Sequence, residues 1–405
     1  MPDKIERVVL FHDYSEALGG ASYLVQVLIE ELRSRDVPVT FFAGDTGTNF
    51  GRDDVEFIPL NGKSLLARST IGALTKGLFN PPSLFRVRDW IRENDTPGTI
   101  YHVHGWTKIL SPAVFGALRD VSQRVILHGH DYFNSCPNGA FFNYVTEQDC
   151  SLTPLSAACL SCRCDKSSYA HKLWRSGREA VRRVQTVGAN ANRMLLIHPG
   201  QARNFALGHW PAEKLVAVRN PVTPLAPQRI EAERNNGIIY IGRISAEKGA
   251  DLAAKAAAMA GIPITFVGDG SEVDHVRAIN PDAIMLGRQD RAGAAKALSR
   301  AKLAVMPSRW AEPFGLVALE AIGSGVPVIV SNRALVAPEI ERAGFGLSAN
   351  TANLEEFART LLDLHADNAR VKRMSTHGHK NYLNLCNTPE SWANTIVNQY
   401  EQALL

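Results

Sequence analysis

The chain has 405 residues, enough for two or three domains at roughly 150 residues each. Its 45% hydrophobic and 21% charged content excludes a disordered, collagen-like or coiled-coil polypeptide. A net charge of +4, from 44 basic and 40 acidic residues, is too mild to make nucleic acid the partner, and no apolar run reaches the roughly 18 residues of a bilayer span. The opening MPDKIERVVLF reads as the first core strand of a cytoplasmic protein and not as a signal peptide.

Short β-branched runs alternate with helical patterns, the mark of parallel sheets built from βαβ units. Residues 7–11 (RVVLF) read as a buried strand, 21–33 as a helix, and 39–42, 100–103 and 125–127 as further strands. Residues 219–236 carry three prolines and then a charged run, the composition of a linker. Beyond it, 237–241 (GIIYI), 264–267, 283–286, 303–305 and 328–330 read as strands, and 250–260, 292–299 and 316–322 as helices. The expected fold is α/β: two facing Rossmann-like, doubly wound domains over 1–218 and 237–385, with an acceptor cleft between them. A C-terminal helix is expected in 386–405, its place not fixed by spacing. Ligands of such sheets bind at the carboxyl ends of the strands.

Residues 307–330 (PSRWAEPFGLVALEAIGSGVPVIV) are the most informative. A helix beginning near Leu316 would offer the amides of Phe314, Gly315 and Leu316 to a phosphate. Glu320, about 6 Å further along the helix, would then reach the ribose hydroxyls of a nucleotide. Glu312, before the helix, would face the other end of the diphosphate, where a sugar would lie. The plain alternative is two solvated glutamates flanking an amphipathic helix. In IGRISAEKGAD (241–251), Gly242, Arg243 and Lys248 follow a strand, and two cations there can neutralise a leaving diphosphate without a metal.

The E-P-F-G-x-x-x-x-E run, the G-V-P-V-I strand after it, the paired GR and KG and the VGDG of 267–270 resemble the retaining glycosyltransferases of family 4, which have the two-domain GT-B fold. The resemblance implies that Arg243 and Lys248 clamp the donor diphosphate and stabilise the departing nucleotide, with same-face attack on the sugar. In HDYSEALGGAS (12–22), Gly19 and Gly20 precede a helix and would let backbone approach a phosphate, as the equivalent loop does in that family. Ala21, Ser22 and Tyr23 lack the charged pair often found there, and a turn with left-handed residues is the alternative. His130-Asp131-Tyr132 with Cys136-Pro137 resembles the members that build bacterial surface polysaccharides. This implies that His130 reaches the transferring sugar, with Asp131 an acceptor-side partner; His128 is expected on the opposite side of the strand. No Asp-x-Asp occurs, so transfer is expected to need no metal or other cofactor.

Cys136, Cys150, Cys159, Cys162 and Cys164 fall in one window. Cys159-x-x-Cys162 has zinc-ligand spacing, and Cys150 with Cys164 or Cys136 would complete four thiolates of a structural zinc with no part in transfer. Ordinary reduced cysteines, and disulfide or redox chemistry, remain open alternatives. Eight basic residues against two acidic ones over 163–193, and six basic residues among apolar ones over 63–92, suit an anionic membrane surface or plain solvated helix faces. The expected protein is a cytoplasmic hexosyltransferase, peripheral on the inner face of the membrane. Its donor would be a nucleotide sugar and its acceptor a glycan or lipid-linked glycan. The rivals are a GT-B-fold nucleotide-sugar epimerase or glycan phosphorylase, and a non-enzymatic sugar-nucleotide-binding scaffold.

Overall fold

In the computed structural model, which describes residues 4–67, 70–185 and 190–405 and no side chain at Leu66 or Thr70, the apolar runs become strands of two parallel sheets. Arg68 and Ser69 of the basic 63–92 stretch, and the first three residues of the opening, lie outside the described residues. The first sheet contains β1 (Arg7–His12), β2 (Val39–Ala43), β3 (Glu56–Pro59), β4 (Thr99–Val103) and β5 (Val125–Gly129). A separate antiparallel hairpin follows, β6 (Phe142–Asn143) and β7 (Gln148–Asp149). The sheet then resumes with β8 (Arg193–Leu196) and β9 (Leu215–Ala217). Its order is β3-β2-β1-β4-β5-β8-β9, parallel throughout. Val8, Val9, Leu10 and Phe11 of β1 are all fully buried, as in a sheet covered on both faces, so no alternation is left to read.

The second sheet is made of β10 (Gly237–Ile241), β11 (Ile264–Val267), β12 (Ile284–Met285), β13 (Ala301–Met306), β14 (Val328–Ser331) and β15 (Gly346–Ala349). Its order, β12-β11-β10-β13-β14-β15, is also parallel. Both are Rossmann orders, in which the winding reverses between β1 and β4 in one sheet and between β10 and β13 in the other. Such switch points open a crevice at the carboxyl ends of the strands.

The chain divides into two compact units, Met1–Val218 with Pro389–Leu405, and Arg219–Thr388. Residues 219–236, expected as a linker, fold as part of the second unit. Arg219 makes a bidentate pair with Glu339 at 2.7 and 2.8 Å, Pro221 bridges to Asn387, and Ile230 and Ala232 are buried. Proline-rich composition predicts an extended path but not the contacts that fix it. The C-terminal helix runs Pro389–Leu404 and belongs to the first unit, where it packs on the helix Gly20–Arg33 and on β4. Trp392, Ile396 and Tyr400 are its buried anchors.

Candidate functional site

In the second unit, β10 ends at Ile241 and the chain turns through Gly242 into Arg243. The Tyr240 hydroxyl donates to the Arg243 carbonyl at 2.7 Å and holds this turn. The Arg243 guanidinium is exposed and has no hydrogen bond or ion pair among the described residues. The short turn Ala246–Lys248 ends on Gly249, left-handed at φ 71°, where a Cβ would lie 2.1 Å from the Pro307 carbonyl oxygen. Glycine alone lets the Lys248 loop rest directly on the loop after β13. The VGDG run interlocks in the same way, since a Cβ on Gly268 would lie 1.9 Å from the carbonyl oxygen of Gly242.

These close approaches carry Lys248 Nζ to 2.5 Å from Glu312 Oε2, and the Ser308 hydroxyl donates to the same oxygen at 3.2 Å. The ammonium also lies 5.4 Å from the Trp310 ring centroid. Arg309 ties the two loops a second time, with a bidentate pair to Asp251 at 2.6 and 2.8 Å. Helix Leu316–Gly323 starts after Gly315 with no side-chain cap. Among the described residues nothing accepts from the amides of Phe314, Gly315 and Leu316. Unpaired amides and the positive end of the helix dipole favour an anion there.

Glu320 sits on that helix, with 17% of its side chain exposed, and pairs with Arg291 at 3.2 Å. Burial pushes its carboxyl up, and Arg291 opposes the shift. Arg291 also donates to the carbonyls of Thr223 (2.5 Å) and Pro224 (2.8 Å). Arg291, Trp310 and Ser308 were not among the expected residues; a lone arginine opening a helix gives no signal in a single sequence. The fold therefore gathers Gly242, Arg243, Lys248, Glu312, Phe314, Gly315 and Leu316 on the two loops flanking the switch point. Glu320 follows one turn into the helix, held by its own partner.

In the first unit, the loop after β1 is pinned by Asp13, whose buried carboxylate accepts from the amides of Lys108 (2.7 Å), Ile109 (2.8 Å) and Leu110 (2.9 Å). Gly19 caps the helix that begins at Gly20, in extended backbone at φ −172° and with nothing within 4 Å of where a Cβ would be. The left-handed turn weighed for it is absent, and the space beside this helix end is open. Ser22 takes over the capping, accepting from the Gly19 amide at 3.0 Å.

The carboxyl end of β5 sets His128 and His130 on one face, their rings parallel and 4.1 Å apart. The expectation of opposite sides fails because residues two apart in an extended chain share a face. His130 Nε2 lies 3.0 Å from His104 Nδ1, and His128 Nδ1 lies 3.2 Å from His102 Nε2. The Tyr400 hydroxyl is 2.6 Å from His102 Nδ1. Burial pushes all four imidazoles down, that of His128 to about 3. His102 and His104 were not among the expected residues, although two H-x-H runs, 102–104 and 128–130, carry the signal for this cluster. Asp131 accepts from the Phe133 amide at 2.9 Å, and burial pushes its carboxyl up to about 6.

None of the six cysteines is in a disulfide. The buried Lys172 ammonium donates to Cys159 Sγ at 3.2 Å, and Asn138 bridges Cys164 (3.4 Å) and Cys136 (3.1 Å). Much of the basic 163–193 stretch turns inward. Arg182 and Arg183 share Glu179, Arg175 pairs with Asp165, and Arg178 lies buried over the rings of Trp106, Phe133 and Trp174. Over 63–92 the apolar Ile71, Leu74 and Phe85 are exposed near Lys76 and Arg86, also exposed. Among the described residues no helix is long and apolar enough to cross a membrane.

Residues 224–381 match the family described as Glycosyl transferases group 1. Over 161 residues the chain is 31% identical to "Glycogen synthase" of Mycobacterium tuberculosis, a match covering 36% of this chain and 38% of that protein. It is 32% identical over 149 residues to "Lipopolysaccharide core biosynthesis glycosyltransferase LpsE" of Rhizobium meliloti, covering 35% and 43%. The chain thus spans less than half the length of the curated relatives it matches. Among solved structures, sucrose-phosphate synthase from Thermosynechococcus elongatus superposes with a TM-score of 0.71 at 18% identity, covering 98% of each chain. The likeness establishes the expected α/β fold of paired Rossmann-like domains, the GT-B type.

Proposed function

We propose that this chain is a retaining, metal-independent glycosyltransferase of the family 4 kind, moving a sugar from a nucleoside-diphosphate donor to a glycan acceptor of a surface polysaccharide. The observation that carries the reading is the set of groups gathered at the switch point of the second sheet. They are an exposed guanidinium at Arg243, the ammonium of Lys248, and three amides with no acceptor at the head of a helix. This set suits a diphosphate that becomes more negative as it leaves. Glu320 would accept from the ribose hydroxyls, and Glu312 would hold the sugar while keeping Lys248 in place. His130 is assigned to the transferring sugar and Asp131 to the acceptor side. In the step itself the bond from the anomeric carbon to the diphosphate oxygen breaks and the bond to the acceptor oxygen forms on the same face. The acceptor proton passes to the leaving phosphate. The Arg243 and Lys248 cations supply the neutralisation that a metal supplies elsewhere.

A lipid-linked acceptor at the inner face of the cytoplasmic membrane fits the exposed Ile71, Leu74 and Phe85 beside Lys76 and Arg86. The deciding experiment is a panel of nucleotide sugars scored for thermal stabilisation and for sugar transfer or hydrolysis in the presence of a chelator. One donor should stabilise the wild type and turn over, and should lose its stabilisation in Glu320→Ala. A nucleotide that stabilises the protein while its sugar is neither transferred nor hydrolysed would identify a binding scaffold instead.

A further inference from the structure

In the imidazole cluster of the first unit only His130 has a part in the proposed transfer; His102, His104 and His128 have none, and they are built with more order than packing requires. Strands β4 and β5 are parallel neighbours; His102 and His128 lie on them against Tyr400 and Trp392 of helix Pro389–Leu404, and His104 and His130 follow just past the strand ends. His102 and His128 are at most 1% exposed, and His104 is 5% exposed. Apolar side chains would fill this space at no polar cost. Instead the Nε2 atoms of His104 and His128 are buried with no hydrogen-bond partner among the described residues. An orphaned buried nitrogen is costly and asks for an occupant.

One ring nitrogen from each of His102, His104 and His128 lies within 4.8 Å of the others. We propose that these three imidazoles bind a divalent transition metal of the zinc class. Three neutral imidazoles on rigid strands are the donor set of such ions and not of calcium or magnesium, which prefer oxygen. All three rings are buried, and burial favours the neutral imidazole, the form that ligates. Outer partners are in place as well: Tyr400 at His102 Nδ1 and His130 at His104 Nδ1. Contacts of this type fix ring orientation and tautomer. The bound ion would tie β4 to β5 as a structural centre, with no part in transfer. The inference stands on the geometry of His102, His104 and His128, none of which the donor reading uses.

The test uses the full chain, stripped with a chelator and titrated with zinc by calorimetry and with cobalt(II) by absorption. One equivalent should bind. The cobalt spectrum should show ligand-field bands without thiolate charge-transfer bands, which separates this site from the cysteines of the insert. Cys159→Ser should bind as the wild type does, Tyr400→Phe about tenfold more weakly, and His128→Gln and His104→Gln without measurable affinity. Should the histidine variants fail to fold, the wild-type cobalt spectrum decides alone. No uptake, meaning that water fills the site, overturns the proposal. So does a first equivalent with thiolate bands, or affinity unchanged in both histidine variants.

Discussion

Lys248 keeps about a third of its side chain exposed (32%) while its ammonium rests 2.5 Å from Glu312. It can therefore meet a diphosphate without first leaving a buried pair. Part-exposed pairs of this kind are worth about 1 kcal/mol or less to stability, whereas a charge facing a leaving group is worth about 10²–10³ in rate. Lys248→Ala should accordingly lower kcat by about that factor while the melting temperature stays near that of the wild type; wild-type turnover would remove Lys248 from the reaction. Asp131 gives a second test, with the sign set by burial. Its carboxyl is pushed up to about 6, above the roughly 3.9 of an unfolded chain. Between about pH 4 and 6 the native state keeps a proton that the unfolded chain has lost, so this group lowers stability as pH rises through that window. Asparagine can still accept from the Phe133 amide. The melting temperature of Asp131→Asn should therefore gain on the wild type as pH climbs from 4 to 6 and hold a constant lead above it. A flat difference would mean that the carboxyl titrates normally.

The loops after β10, β11 and β13 act as one element because their backbones touch where glycine leaves room. A methyl group on Gly268 would meet the Gly242 carbonyl oxygen at 1.9 Å, and one on Gly249 would meet Pro307 at 2.1 Å. Both positions also have positive φ, at 142° and 71°. Gly249→Ala and Gly268→Ala should each cost about 1–3 kcal/mol and raise KM for the donor, because displaced loops no longer bring Arg243 and Lys248 to one ligand. Unfolding curves with donor titrations measure both, and an unshifted KM would dissociate the interlock from binding. This element was largely legible in the sequence, since GIIYI, ITFV and the E-P-F-G run carry strand, turn and helix signals within a few residues. What escaped was non-local or weakly patterned. Strand β9 is three residues long, β15 reads GLSA, and β3 (EFIP) lies at the sheet edge. No propensity marks such segments; a neighbouring strand supplies their hydrogen bonds. The Lys248–Glu312 pair spans 64 positions and Tyr400 lies 298 from His102, separations across which spacing says nothing. The linker expectation failed for the same reason, since composition cannot show Arg219 finding Glu339.

The two units differ in how their chain is laid out, and this governs how the molecule should respond to truncation. The second is one continuous segment, Arg219–Thr388, whereas the first is completed only when Pro389–Leu405 returns to it. That return is not a loose tail. Arg35 donates to Asn394 at 2.9 Å, Arg193 donates to Gln402 at 2.5 Å, and Trp392, Ile396 and Tyr400 are wholly buried. Burying each of those three is worth about 1.5–3 kcal/mol, so together they approach the 5–15 kcal/mol by which a whole domain is stable. A chain ending at Thr388 would also open the covered face of β4 and β5 to water, with its four imidazoles. Its first unit should lose cooperative folding while the second, complete in its own segment, keeps its structure. Hydrogen exchange on the truncated protein should show amides of β1, β4 and β5 unprotected and those of β10 and β13 as protected as in the full chain. Equal protection of β4 in both proteins would mean that the first unit folds without its last helix, leaving the burial of Tyr400 and Trp392 without energetic weight.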